Sequence, residues 1–116
     1  MHELPVMQEI LAVVLKHASR HQVEKVLAVQ IQVGALSDLE ESWMQRYFDH
    51  LSQATLAAGA RLHIERKPAV LFCQDCARET RTYFKQQEDL ICDHCGSRSL
   101  RLISGREYTV LNLEAV

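Results

Sequence analysis

Polar and apolar residues alternate along this chain with two different periods. From near the amino terminus to about residue 20, Val6, Ile10, Val13, Val14 and His17 recur at helical spacing. That predicts a first helix with one apolar stripe, and Pro5 suits its first turn. Leu27, Val29, Ile31 and Val33 then alternate with Ala28, Gln30 and Gln32, the period of a strand with one buried face, which Gly34 ends. Ser37-Asp38-Leu39-Glu40 has the form of a capping box and predicts a second helix directly after it, with Met44, Tyr47, Phe48 and Leu51 on the apolar side. Gly59 marks a turn, and Arg61 to Arg66 alternates again with Leu62 and Ile64 on one face. Pro68 then marks a boundary, and Tyr108 to Leu113 is the last β-rich run. A strand needs a sheet to join, so this last one is expected to return to the earlier strands.

Between Pro68 and that final run lie Cys73-Gln-Asp-Cys76 and Cys92-Asp-His-Cys95, two C-x-x-C pairs separated by fifteen residues. Together they use every cysteine in the chain, at a spacing that lets four thiolates close on one tetrahedral ion. Zinc is the expected metal, held in a closed structural site, since four thiolates leave no position for an activated water. Iron in a rubredoxin-like cage suits the same sulfurs. Two disulfides are the alternative for a secreted chain. His94, inside the second pair, can serve as a ligand, donate to a sulfur or simply lie exposed. The expected fold class is α/β: a small mixed sheet with two helices, plus an inserted zinc-ribbon-like module. Residues 1–68 and 104–116 are expected to form the α/β domain and residues 69–103 the insertion.

At 116 residues the chain has room for one modest core and a metal-stapled appendage. Its net charge of −2 comes from interspersed charges, and residues 70 to 103 carry five basic and five acidic side chains, so no nucleic acid partner is expected. Met1-His2-Glu3-Leu4-Pro5 has no cationic leader before an apolar run, and no segment approaches eighteen uninterrupted apolar residues. The expectation is a cytoplasmic protein without membrane association. No nucleophile with a base, phosphate-cradling loop or carboxylate pair stands out, so no enzymatic activity is expected.

The amino terminus offers a second metal site. An α-amine at Met1, the deprotonated backbone nitrogen and imidazole of His2, and a backbone or carboxylate donor from Glu3 can wrap one cation in adjoining chelate rings. Such nitrogen-rich planar coordination suits Ni(II) or Cu(II). On spacing alone, a histidine at position two equally describes an ordinary chain terminus. His17 and His21 lie four apart, a spacing that can clamp a metal on one helical face, but no third ligand is evident one turn away. His17 is expected to be partly buried. Trp43, Tyr47 and Phe48 read as core or as a packed partner face.

Met1-His2-Glu3-Leu4, Val33-Gly34-Ala35-Leu36-Ser37-Asp38-Leu39-Glu40 and the two C-x-x-C pairs, in this order, resemble the HypA/HybF family of hydrogenase maturation proteins over the full length. The resemblance implies a nickel metallochaperone that binds Ni(II) at its amino terminus and delivers it to the [NiFe]-hydrogenase large-subunit precursor. Met1, His2 and Glu3 would be the nickel ligands, with His2 essential, and Cys73, Cys76, Cys92 and Cys95 would hold structural Zn(II). The implied partners are a HypB-type GTPase, the hydrogenase precursor and, in some relatives, the urease system. Pro5 departs from the serine common in the family at that position. The rival reading is a zinc-ribbon interaction or adaptor module without a nickel function.

Overall fold

The computed structural model describes residues 3–83 and 90–116. Its elements run α1 (Glu3–Arg20), β1 (Val26–Gly34), α2 (Glu41–Leu51), β2 (Arg61–Lys67), β3 (Ala69–Cys73), β4 (Glu79–Thr82), β5 (Leu100–Ser104) and β6 (Tyr108–Ala115). They build two three-stranded sheets, ordered β2-β1-β6 and β4-β3-β5. In the first, β6 returns antiparallel to β1: Lys25 and Val116 exchange backbone bonds at one end, and the Gly34 N–H donates to Glu107 O at the other. Just past the ends of β1 and β2, the Ala35 N–H donates to Lys67 O at 2.8 Å, so these two strands run the same way, as a crossover through α2 requires. The sheet is therefore mixed.

By contact density the chain divides into two compact units, Met1–Gln32 with Asp38–Glu65 and Thr109–Val116, and Val33–Ser37 with Arg66–Tyr108. In the first, α1 packs along α2. The buried stripe of α1 is Glu3, Met7, Ile10, Val14 and Ala18. That stripe is rotated from the predicted one: Val13 is 40% exposed, and His17, expected to be partly buried, is exposed. The helix therefore turns its small Ala18 inward and leaves the imidazole in water. Strand β1 also departs from simple alternation, because Val26 and Ala28 are buried along with Val29, Ile31 and Val33, while Leu27 is 41% exposed. The predicted face is buried over Val29, Ile31 and Val33, while Gln30 on the other face is exposed. Of the aromatics on α2, only Phe48 is fully buried; Trp43 and Tyr47 are half-buried and stack with centroids 5.7 Å apart.

Helix α2 begins directly after Glu40, as expected, but not with the predicted Ser37 cap. Its N-cap is Glu40, in extended conformation and without a side-chain cap of its own. The reason lies just upstream. The N–H groups of Ala35, Leu36 and Ser37 are taken by Lys67 O, Gly105 O and Gly34 O, so residues 34–37 form a turn and not a helical entry. The glutamate that reaches the N-cap N–H comes from another helix: Glu3 Oε2 accepts from the Glu40 N–H at 3.0 Å. It does for α2 what the third residue of a capping box does locally.

In the second unit, β3 pairs antiparallel with β4 on one side and β5 on the other. These three short strands were not resolved by the sequence pattern, whose apolar run at 69–73 has no alternation. Gly34 approaches Gly105 so closely that a Cβ on Gly34 would lie 2.1 Å from the Gly105 carbonyl oxygen, and Gly105 itself sits at φ +147° against Ala69. Only glycine fits that crossing.

Candidate metal centre

Both C-x-x-C pairs sit on the same turn. The Cys73 N–H donates to Arg78 O and the Ala77 N–H to Cys73 O; nineteen residues on, the Cys92 N–H donates to Ser97 O and the Gly96 N–H to Cys92 O. The fourth residue after each leading cysteine takes a left-handed backbone, Ala77 at φ 60° and Gly96 at φ 76°. The turns aim backbone donors at sulfur, with the Cys76 N–H on Cys73 Sγ at 3.5 Å and the His94 N–H on Cys92 Sγ at 3.3 Å. Three polar contacts brace the pair: Ser97 Oγ donates to Asp75 Oδ2, the Ser99 N–H donates to Ser97 Oγ, and the Asp93 N–H donates to Thr80 Oγ1 on β4. The sequence reading missed Asp75, Thr80 and Ser97. Short polar residues within or beside a C-x-x-C turn are the signal that would have marked the first and last.

The four sulfurs lie within 4.8 Å of one another, and the shortest separations, Cys73 to Cys95 at 3.6 Å and Cys76 to Cys92 at 3.5 Å, each join one turn to the other. A tetrahedral zinc with Zn–S bonds of about 2.3 Å sets its sulfurs roughly 3.8 Å apart. The set fits such an ion. Cys73 and Cys92 are buried, Cys76 is half-buried and Cys95 is exposed. His94 is exposed and its ring lies at 3.3 Å from Glu79 O and 3.5 Å from the Arg78 guanidinium, turned to the protein surface and not to sulfur.

Cys76, Cys92 and Cys95 do not ionise independently. Burial pushes the Cys92 thiol up, but the N–H groups of Cys95 and His94 and hydrogen bonding with Cys76 and Cys95 outweigh it and bring it down to about 6. Cys95 goes the other way. The Ser97 N–H lowers it, yet hydrogen bonding with Cys73, burial and the other two sulfurs push it up to about 12. Burial likewise raises Cys76, with the Arg78 N–H opposing. The first negative charge is stabilised by aimed dipoles, and each further one is opposed by its neighbours until a cation neutralises them.

Met1 and His2 of the expected nickel site lie outside the described residues. Glu3 is described: it is 1% exposed, with Oε2 on the Glu40 N–H and Oε1 unpartnered among the described residues. Its carboxylate is turned inward to α2. Among the described residues the four cysteines are the one group of three or more histidine, cysteine or acidic side chains able to share an ion. No described helix is long and apolar enough to cross a membrane.

A family model described as hydrogenase/urease nickel incorporation, metallochaperone, HypA matches residues 1–115. The chain is 38% identical over 114 residues to hydrogenase maturation factor HybF of Klebsiella pneumoniae, and 35% identical over 114 residues to that of Escherichia coli (strain K12), with 98% of this chain and of each relative covered. Its fold is similar to the solution structure of the Ni metallochaperone HypA from Helicobacter pylori, with TM-score 0.69 and 25% identity over 100% of this chain and 98% of that one. Two helices, two small sheets and a clustered set of four sulfurs agree with that likeness, and the chain belongs to the HypA/HybF family of hydrogenase nickel-incorporation metallochaperones.

Proposed function

We propose that this chain binds Ni(II) through Met1, His2 and Glu3 and delivers it to the large-subunit precursor of a [NiFe]-hydrogenase, working in the cytoplasm beside a HypB-type GTPase. It carries no reaction of its own. The closed set of four sulfurs is the observation that carries this reading. Zn(II) held by Cys73, Cys76, Cys92 and Cys95 has a filled tetrahedron. A cargo ion that must be taken up and handed on therefore needs different donors. The chain's opening residues supply them: the α-amine, the His2 nitrogens and Glu3. One oxygen of the Glu3 carboxylate is engaged by the N-cap of α2, so Glu3 contributes through its backbone or through the other oxygen. A site of few nitrogen donors releases its ion by stepwise ligand exchange to a partner offering more. The urease system is a second destination for the same chemistry.

The test is nickel titration of protein with its native terminus and of His2→Ala, both with zinc retained. The wild-type chain should bind one equivalent in a nitrogen-rich planar site that the variant loses. Equal occupancy of that site in both would remove the proposal.

A further inference from the structure

A second set of metal-seeking side chains meets at the carboxyl end of α1. There the Val23 N–H donates to Ala18 O at 3.2 Å and the Gln22 N–H to Ser19 O at 3.4 Å, with Gln22 in the left-handed region at φ 54°. This pair of bonds closes the helix firmly. His21 is the last residue kept in helical register, its N–H bonded to His17 O at 3.1 Å. The two histidines therefore stand one turn apart on one side of the helix, where Cβ atoms lie about 5–6 Å from each other. Both are exposed. Both line a groove of about 370 Å³ together with Ala18 and Val23 and with β6 residues that include Leu111 and Asn112.

We propose that His17 and His21 form a second metal site, a two-imidazole chelate for a first-row divalent ion, with the Asn112 carboxamide oxygen as the donor across the groove. Histidines at positions i and i+4 are the spacing by which a helix presents two imidazoles to one metal. Imidazole nitrogen suits Ni(II), Cu(II) and Zn(II). The end of α1 adds the partial negative charge of its last carbonyl groups, which favours a cation there. Unlike the four-sulfur set, this one leaves coordination positions open to water in the groove, so its ion is exchangeable. The sequence reading lacked the third donor because Asn112 is ninety-one residues from His21 and reaches the groove only through the return of β6 to the sheet. This inference does not rest on the amino-terminal nickel site.

The experiment uses full-length, zinc-loaded, untagged protein carrying His2→Ala, titrated with Ni(II) alone by calorimetry and followed by amide NMR. One residual equivalent is expected, with paramagnetic broadening confined to the groove, at residues 17 to 23 and 110 to 113. Adding His17→Ala or His21→Ala should weaken that binding at least about tenfold, because the chelate is lost; Asn112→Ala should weaken it less. All three side chains are exposed, so these changes leave the core intact. Absence of the residual equivalent, or its persistence in the doubly substituted His17→Ala/His21→Ala protein, would overturn the proposal. Since residue 2 is already replaced, neither result bears on the amino-terminal reading.

Discussion

In the unit that carries α1 and α2, Met7, Ile10, Val14, Ile31, Met44 and Phe48 are each at most 1% exposed. In the unit that carries β3, β4 and β5, the buried apolar set among the described residues is Val33, Ala35, Ala69, Val70 and Leu71 with Cys73 and Cys92. The first unit stays folded by removing long apolar side chains from water. The second has fewer of them among the described residues, and its four clustered thiols could hold a metal that would stand in for the missing core. One chain thus uses two kinds of cohesion, and each should fail under a different insult.

The largest effect expected is at the sulfurs. Cys92→Ser should abolish zinc retention and collapse the amide dispersion of the described residues from 69 to 104 while the α1 and α2 signals persist; binding of structural zinc in small folds is worth about 10–16 kcal/mol. If helical signals vanish as well, the two kinds of cohesion are not separable. The same centre should release at least about two protons per zinc at pH 7, from the raised thiols of Cys76 and Cys95, whereas Cys92 at about 6 is already ionised. As pH falls those protons return, so zinc affinity should drop with acidification.

Phe48→Ala should produce the converse pattern. Losing a fully buried phenyl group costs about 3–5 kcal/mol, read as a lower denaturation midpoint with zinc stoichiometry unchanged. Glu3→Ala should cost less, about 1–3 kcal/mol, because the Glu40 N–H loses its partner. Amide exchange should then quicken over residues 40 to 44 and not in β3; a uniform change would mean that Glu3 does not act through the start of α2.

The smallest effect is at Glu107, whose own N–H and that of Gly105 hold its carboxyl below the ordinary value of 4.5. A carboxylate depressed in the native state contributes stability above its unfolded value and loses it as pH falls through the native one. Glu107→Gln should therefore lower the melting temperature slightly at neutral pH and match the parent once the pH has fallen below the native carboxyl's depressed value.

Much of this was legible before any coordinates. The clustering of the four cysteines was legible from the two C-x-x-C pairs, because a local turn fixes each pair. The spans of α1 and β1 followed from periodicity. What failed were features settled at long range. The capping of α2 involves Glu3, thirty-seven residues away, and Lys67 and Gly105 take the donors of residues 35 and 36 just upstream. The phase of the α1 stripe turned on small Ala18 packing inward in place of His17, a choice made by what covers the helix and not by the helix itself. The strands of the cysteine unit are too short to show a period.

The contacts of residues 34 to 36 have one more consequence. Gly34 binds Glu107 O, Ala35 binds Lys67 O and Leu36 binds Gly105 O, so the point where the chain departs after β2 and the point where it comes back before β6 are fastened to the same three residues. Lys67 and Gly105, thirty-eight positions apart in sequence, are thereby tied to one short turn, so a substitution that disrupts that turn should loosen both strand ends at once.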